Sequence, residues 1–136
     1  MVEQLLQEIE ELIGTDELEY ELDGKMIQIE QEGAGLELVT PILQIMERHP
    51  LDDFGVPGAM VHFVEQFFGH GYEEKLVESL KRRPASHTVW MLNRIINGSE
   101  NIQEYMELLK DIAGREDLEP EIRERAQEYI EFQENQ

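Results

Sequence analysis

The chain has 136 residues, with 31 Asp and Glu against 11 Lys and Arg, a formal net charge of −20, and no cysteine. That length reads as a single domain spanning residues 1–136, able to bury roughly two-thirds of its unfolded surface without a disulfide or a structural metal. The missing thiols exclude thiolate zinc sites, iron–sulfur clusters and Cys nucleophiles, and the shortage of Lys and Arg argues against nucleic acid and anionic membranes as partners.

Met1 to Glu10 is acidic and lacks the basic and apolar regions of a secretory signal, so none is expected. The most apolar run, Val56 to Phe68, is broken by Pro57, Gly58, His62 and Glu65, and it is too short to span a bilayer. A cytoplasmic protein is the expectation, and the absence of cysteine suits a reducing compartment.

Apolar residues recur at helical spacing along most of the chain. Leu5, Leu6, Ile9, Leu12 and Ile13 predict a first helix that Gly14 ends. Residues 15–35 carry two conflicting signals. Asp23-Gly24 between Leu18-Glu-Tyr20-Glu-Leu22 and Lys25-Met-Ile27-Gln-Ile29 reads as a two-residue β-hairpin, placing Leu18, Tyr20, Leu22, Ile27 and Ile29 on one face. Leu18, Leu22, Met26 and Ile29 also make a helical stripe, but Gly24 in mid-helix costs about 1 kcal/mol, and we favour the hairpin over residues 18–29.

Thr40-Pro41 then reads as a cap followed by a first helical proline, with Ile42, Leu43, Ile45 and Met46 behind it and Pro50 closing the segment. Val56-Pro57 predicts a helix start with Met60, Val61, Phe63, Val64, Phe67 and Phe68 on its apolar face and Gly69 as its end. Tyr72, Leu76, Val77 and Leu80 predict the next helix. Ser86 is a cap candidate for a helix carrying Val89, Trp90, Leu92, Ile95 and Ile96, which Asn97-Gly98 terminates. Ile102 to Ile112 predicts another helix ended by Gly114, and Pro120 opens a last one that frays over Phe132 to Gln136. Short helices joined by short connections predict a mainly α protein, a compact stack of antiparallel helix hairpins of HEAT-like character without a strict repeat.

Chemical motifs are few. His62 and Glu65 at i, i+3 resemble half of a metal-ligand pair, but no second pair completes a carboxylate-bridged site, and no metal or cofactor is expected. Ser79, Ser86 and Ser99 lack a nucleophile context, and Gly33-Ala34-Gly35 lacks the Lys-Ser/Thr of a phosphate loop, so the chain does not read as an enzyme. Trp90, Asn93, Arg94 and Asn97 share a helix face, and Arg94 is placed to pair with Glu65. With His62 they predict a structural polar network. If that ion pair is buried, Arg94→Ala should cost about 3–5 kcal/mol.

Two segments, Asp52-Asp53-Phe54-Gly55 with His62-Phe63-Val64-Glu65, and Trp90-Met91-Leu92-Asn93-Arg94-Ile95-Ile96-Asn97, resemble small helical immunity proteins of bacterial polymorphic-toxin and contact-dependent inhibition systems. The resemblance covers residues 40–98. It implies a protein that binds a cognate toxin, commonly a basic nuclease, and neutralises it without catalysis by covering its active surface.

The charge pattern points the same way. Residues 1–38 carry 12 acids and one base and residues 100–136 carry 12 acids and four bases, whereas residues 39–99 hold seven acids and six bases. A field of that sign attracts a basic protein. Asp52, Asp53, Glu73 and Glu74 are the expected partner-binding acids, together with the acidic terminal helices. The alternatives are an acidic adaptor or chaperone for basic partners, and a nucleic-acid mimic that binds many of them.

Overall fold

The computed structural model describes residues 2–52, 58–100 and 102–135. The protein is mainly α. Its helices among the described residues are α1 (Val2–Leu12), α2 (Glu17–Gln31), α3 (Val39–Arg48), α4 (Ala59–Glu65), α5 (Tyr72–Arg82), α6 (Ser86–Asn97), α7 (Gln103–Ala113) and α8 (Pro120–Glu134), with a 3₁₀ turn at Leu36–Leu38.

No hairpin forms at residues 18–29: this stretch lies within α2. Leu18, Leu22, Met26 and Ile29 are buried along one stripe, while Tyr20 and Ile27, which a hairpin would place on the apolar face, are 81% and 54% exposed. An isolated two-stranded hairpin is marginal in water, and no other strand exists among the described residues for it to join. Burying each of those apolar side chains against the helical core contributes roughly 1.5–3 kcal/mol, which outweighs the cost of Gly24. Gly24 itself lies on the outer face, where an added Cβ would meet nothing within 4 Å.

The helix boundaries follow local chemistry with some differences from expectation. α3 begins at Val39, so Thr40 and Pro41 lie within its first turn and Thr40 is not its cap. Ser86 is likewise the first residue of α6. Ala85 is the cap, and its N–H donates to Thr88 Oγ1 at 2.9 Å. α4 ends at Glu65, four residues before Gly69. The start expected at Val56-Pro57 lies outside the described residues. Pro120 opens α8 as expected, but the helix continues through Glu134 instead of fraying at Phe132. Between α4 and α5, Gly71 adopts φ +113°, and a Cβ there would sit 3.2 Å from Leu36 Cδ2, so the turn requires glycine twice over.

The buried side chains form one continuous core. α6 supplies Val89, Met91, Leu92, Ile95 and Ile96 to it, and it packs on α3, α5, α7 and α8. α5 and α7 therefore flank α6. α1 packs on α2, α2 on α4, α3 on α5, and α7 on α8. Among the described residues no helix is long and apolar enough to cross a membrane.

Candidate partner-binding surface

The scarce cations are spent inside the fold. Lys25 of α2 bonds Glu8 of α1 at 2.8 Å, and Arg48 of α3 makes a two-pronged contact with Glu10 of α1 at 2.7 and 2.8 Å, which His49 joins at 2.9 Å. Arg82 of α5 bonds Glu47 of α3, whose carboxylate also accepts from the buried Ser79 hydroxyl at 2.6 Å. Arg83 reaches Glu119 at the head of α8, Arg94 of α6 reaches Glu65 of α4, and Lys110 of α7 reaches Glu134 of α8. Arg115 pairs locally with Asp117. Seven of the eleven Lys and Arg are thus paired among the described residues, six of them as links between segments, and most acids remain without a cation.

These links shift the acids they touch. The hydrogen bond from Arg48 holds the Glu10 carboxyl below its usual value of 4.5, and the bond from Lys25 does the same for Glu8. Conversely, Glu65 raises the Arg94 guanidinium further above its usual range.

The polar group expected around α6 largely assembles. Arg94 Nε donates to Glu65 Oε2 at 2.6 Å and Nη2 to Oε1 at 2.9 Å. The same guanidinium lies 5.0 Å from the centre of the Trp90 ring, and the His87 ring lies 5.1 Å from Trp90, tilted by 59°. Tyr72 is buried close enough to feel both charges. Burial raises its phenol well above the ordinary value, Glu65 adds to that, and Arg94 opposes it. Asn93 and Asn97 accept hydrogen bonds at 2.7 and 2.8 Å from the Gln133 amide of α8. His62 does not join this group; it is exposed on α4. The pair itself is only partly buried, with side-chain exposures of 38% for Arg94 and 23% for Glu65. No group of three or more His, Asp or Glu that could hold a metal occurs among the described residues.

Of the expected partner-binding acids, Asp52 lines one concavity, and Glu73 and Glu74 lie near a second. The first, of about 460 Å³, is lined by Leu51 and Asp52, by Ser86, His87, Trp90 and Asn93 of α6, and by Arg125 and Tyr129 of α8. Asp52 also faces His49 Nδ1 at 3.5 Å, and burial raises the Tyr129 phenol while Arg125, one turn earlier on α8, opposes that rise. The acid on one wall is offset by the base on the other. Asp53 lies outside the described residues.

The second concavity, of about 180 Å³, runs between α5 and α7. It is lined by Val77, Tyr105 and Leu108, with Glu104, Glu107 and Asp111 along one wall and Lys81 on the other. Glu73 and Glu74 lie at its α5 end. Burial raises the Tyr105 phenol, and the charges of Glu73, Glu104 and Glu74 raise it further, which places all three acids within electrostatic reach of the ring. Glu74 is exposed, whereas both oxygens of Glu73 accept the Gly69 N–H, at 2.9 and 3.0 Å, so Glu73 also fastens the turn into α5.

Sequence reasoning missed Gln133, Arg125, Tyr129 and the Tyr105 groove. Each depends on which helices become neighbours, although the Glu104, Glu107, Asp111 spacing does mark one acidic stripe of α7. No protein-family model, curated protein or solved structure matches the chain.

Proposed function

We propose that this protein is a bacterial immunity protein that acts in the cytoplasm. It binds a cognate basic toxin, of a class that includes nucleases, and neutralises it by covering the active surface. The observation that carries this reading is the use of charge. Most cations are committed to pairs within the fold, so the excess carboxylates are left to face a partner. Against a nuclease, such carboxylates stand where substrate phosphates would bind.

Long-range attraction then speeds capture, up to on the order of 10⁸–10⁹ M⁻¹s⁻¹ at low salt, while contacts buried at the interface set the residence time. No catalytic group is required of the inhibitor. The resemblance of residues 40–98 to immunity proteins supports the same reading. It is tested by capturing partners on the purified protein at moderate salt and titrating the captured protein's activity. An inhibitor abolishes that activity at one equivalent. An adaptor binds and leaves it intact, and a nucleic-acid mimic captures many unrelated basic proteins.

A further inference from the structure

The groove between α5 and α7 is more than a patch of negative charge. Its lining of Val77, Tyr105 and Leu108 is only partly buried, so apolar surface is left at the bottom of a concavity. Its α7 wall carries acids at i, i+3 and i+7, a stripe about 10 Å long at the helical rise, and Glu73 and Glu74 extend the negative rim at the α5 end. Lys81 is the lining cation.

A second copy of this chain, itself at net charge −20, would bring like charge to that rim. An extended basic chain would satisfy the acids but would leave the apolar lining of Val77, Tyr105 and Leu108 uncovered. An amphipathic helix does both: its apolar residues, one turn apart, enter the floor, and Lys or Arg flanking them meet the α7 stripe.

We propose that the α5–α7 groove is the docking site for a cationic amphipathic helix of the partner, an assignment that rests on the basic-partner reading above. Tyr105 and Leu108 receive the apolar face, and Glu104, Glu107 and Asp111 receive the cations. Opposite charge sets orientation and rate, whereas the apolar floor distinguishes a helix from any polycation.

The probe is a synthetic helical peptide of about four turns made only of Leu and Lys, with Leu at i, i+3, i+4 and i+7. Its controls are a scrambled peptide of the same composition and a Lys homopolymer of the same charge. Amide chemical shifts of the isotopically labelled full chain report the site, in buffer of about 0.15 M ionic strength so that distant charges are screened.

The amphipathic peptide is expected to perturb Val77, Lys81, Tyr105 and Leu108, and to bind on the order of ten-fold more tightly than either control. The triple variant E104K/E107K/D111K, whose substituted positions are all exposed, is expected to lose about ten-fold in affinity. The same number of reversals on other helices, E3K/E11K/E17K, is expected to cost about two-fold or less. Perturbations centred elsewhere, equal binding of the homopolymer, or equal losses in the two triple variants would overturn the assignment.

The groove and the toxin fail separately. A toxin captured and inhibited equally well by E104K/E107K/D111K refutes the groove and leaves the immunity reading standing. A peptide seated in the groove of a chain that inhibits no toxin refutes that reading and leaves the groove standing.

Discussion

Replacing Arg94 with alanine tests how α4 is held on α6. The substitution removes two charge-assisted hydrogen bonds, of 2.6 and 2.9 Å, and a guanidinium 5.0 Å from the Trp90 ring. A fully buried pair broken on one side would cost about 3–5 kcal/mol. With Arg94 38% exposed and Glu65 23% exposed, water reaches the carboxylate left behind, and the pair itself contributes about 1 kcal/mol.

Loss of the stacked cation and its packing adds about 0.5–1 kcal/mol, for a total of about 2 kcal/mol. At about 2.1 cal/mol/K of unfolding entropy per residue, that lowers Tm by about 7 °C for a chain of this length. Urea denaturation of wild type, Arg94→Ala, Glu65→Gln and the double variant gives the coupling directly, expected at about 1 kcal/mol. A coupling near zero would refute the pairing, and a loss of 4 kcal/mol or more would refute the solvent access.

The pair has no acid or neutral pH switch on the arginine side. Its pKa is raised in the fold, so its contribution is complete below the value of an unfolded arginine and is lost only as pH rises through the higher folded value.

Three further outcomes follow from single residues. Gly24→Ala should stabilise the protein by about 0.5–1 kcal/mol, read as a higher urea midpoint, because the site is helical, exposed and open; destabilisation would show that α2 is not helical there. Gln133→Ala should cost about 1–2 kcal/mol, since it strips the donor shared by the buried Asn93 and by Asn97, and an unchanged melt would place Gln133 in a frayed tail. Glu10 has a lowered pKa, so its stabilising contribution is present above the unfolded value of about 4.5 and is lost as pH falls through the lower folded value. The stability gap between wild type and Glu10→Gln, measured by denaturant titration at stepped pH, should therefore close on acidification below 4.5. A gap that widens would refute the Arg48 and His49 contacts.

The elements legible in the sequence were those whose apolar stripe and terminal residue agreed. Gly14, Gly98, Gly114 and Pro120 all mark helix ends at or within two residues of where they were expected. α2 was misread because Asp23-Gly24 satisfies a hairpin turn and a tolerated exposed helix position equally well, and only the absence of a strand partner separates the two.

The Arg94–Glu65 contact was legible because helical spacing put Arg94 on one face with Trp90, Asn93 and Asn97. His62 was assigned to the same network by its spacing from Glu65, yet it points to solvent. Gln133 and the α5–α7 groove were not legible, for a shared reason. Periodicity states which side of each helix is buried, but not which two helices will flank a third.

Inhibition of a cognate toxin is read out by immobilising the purified chain, capturing partners from its source cells at moderate salt, and titrating the captured protein's toxic activity with the free chain. One basic partner is expected, silenced at one equivalent and released as salt is raised. Recovery of many unrelated basic proteins, or of a partner that stays fully active when bound, would contradict the immunity reading.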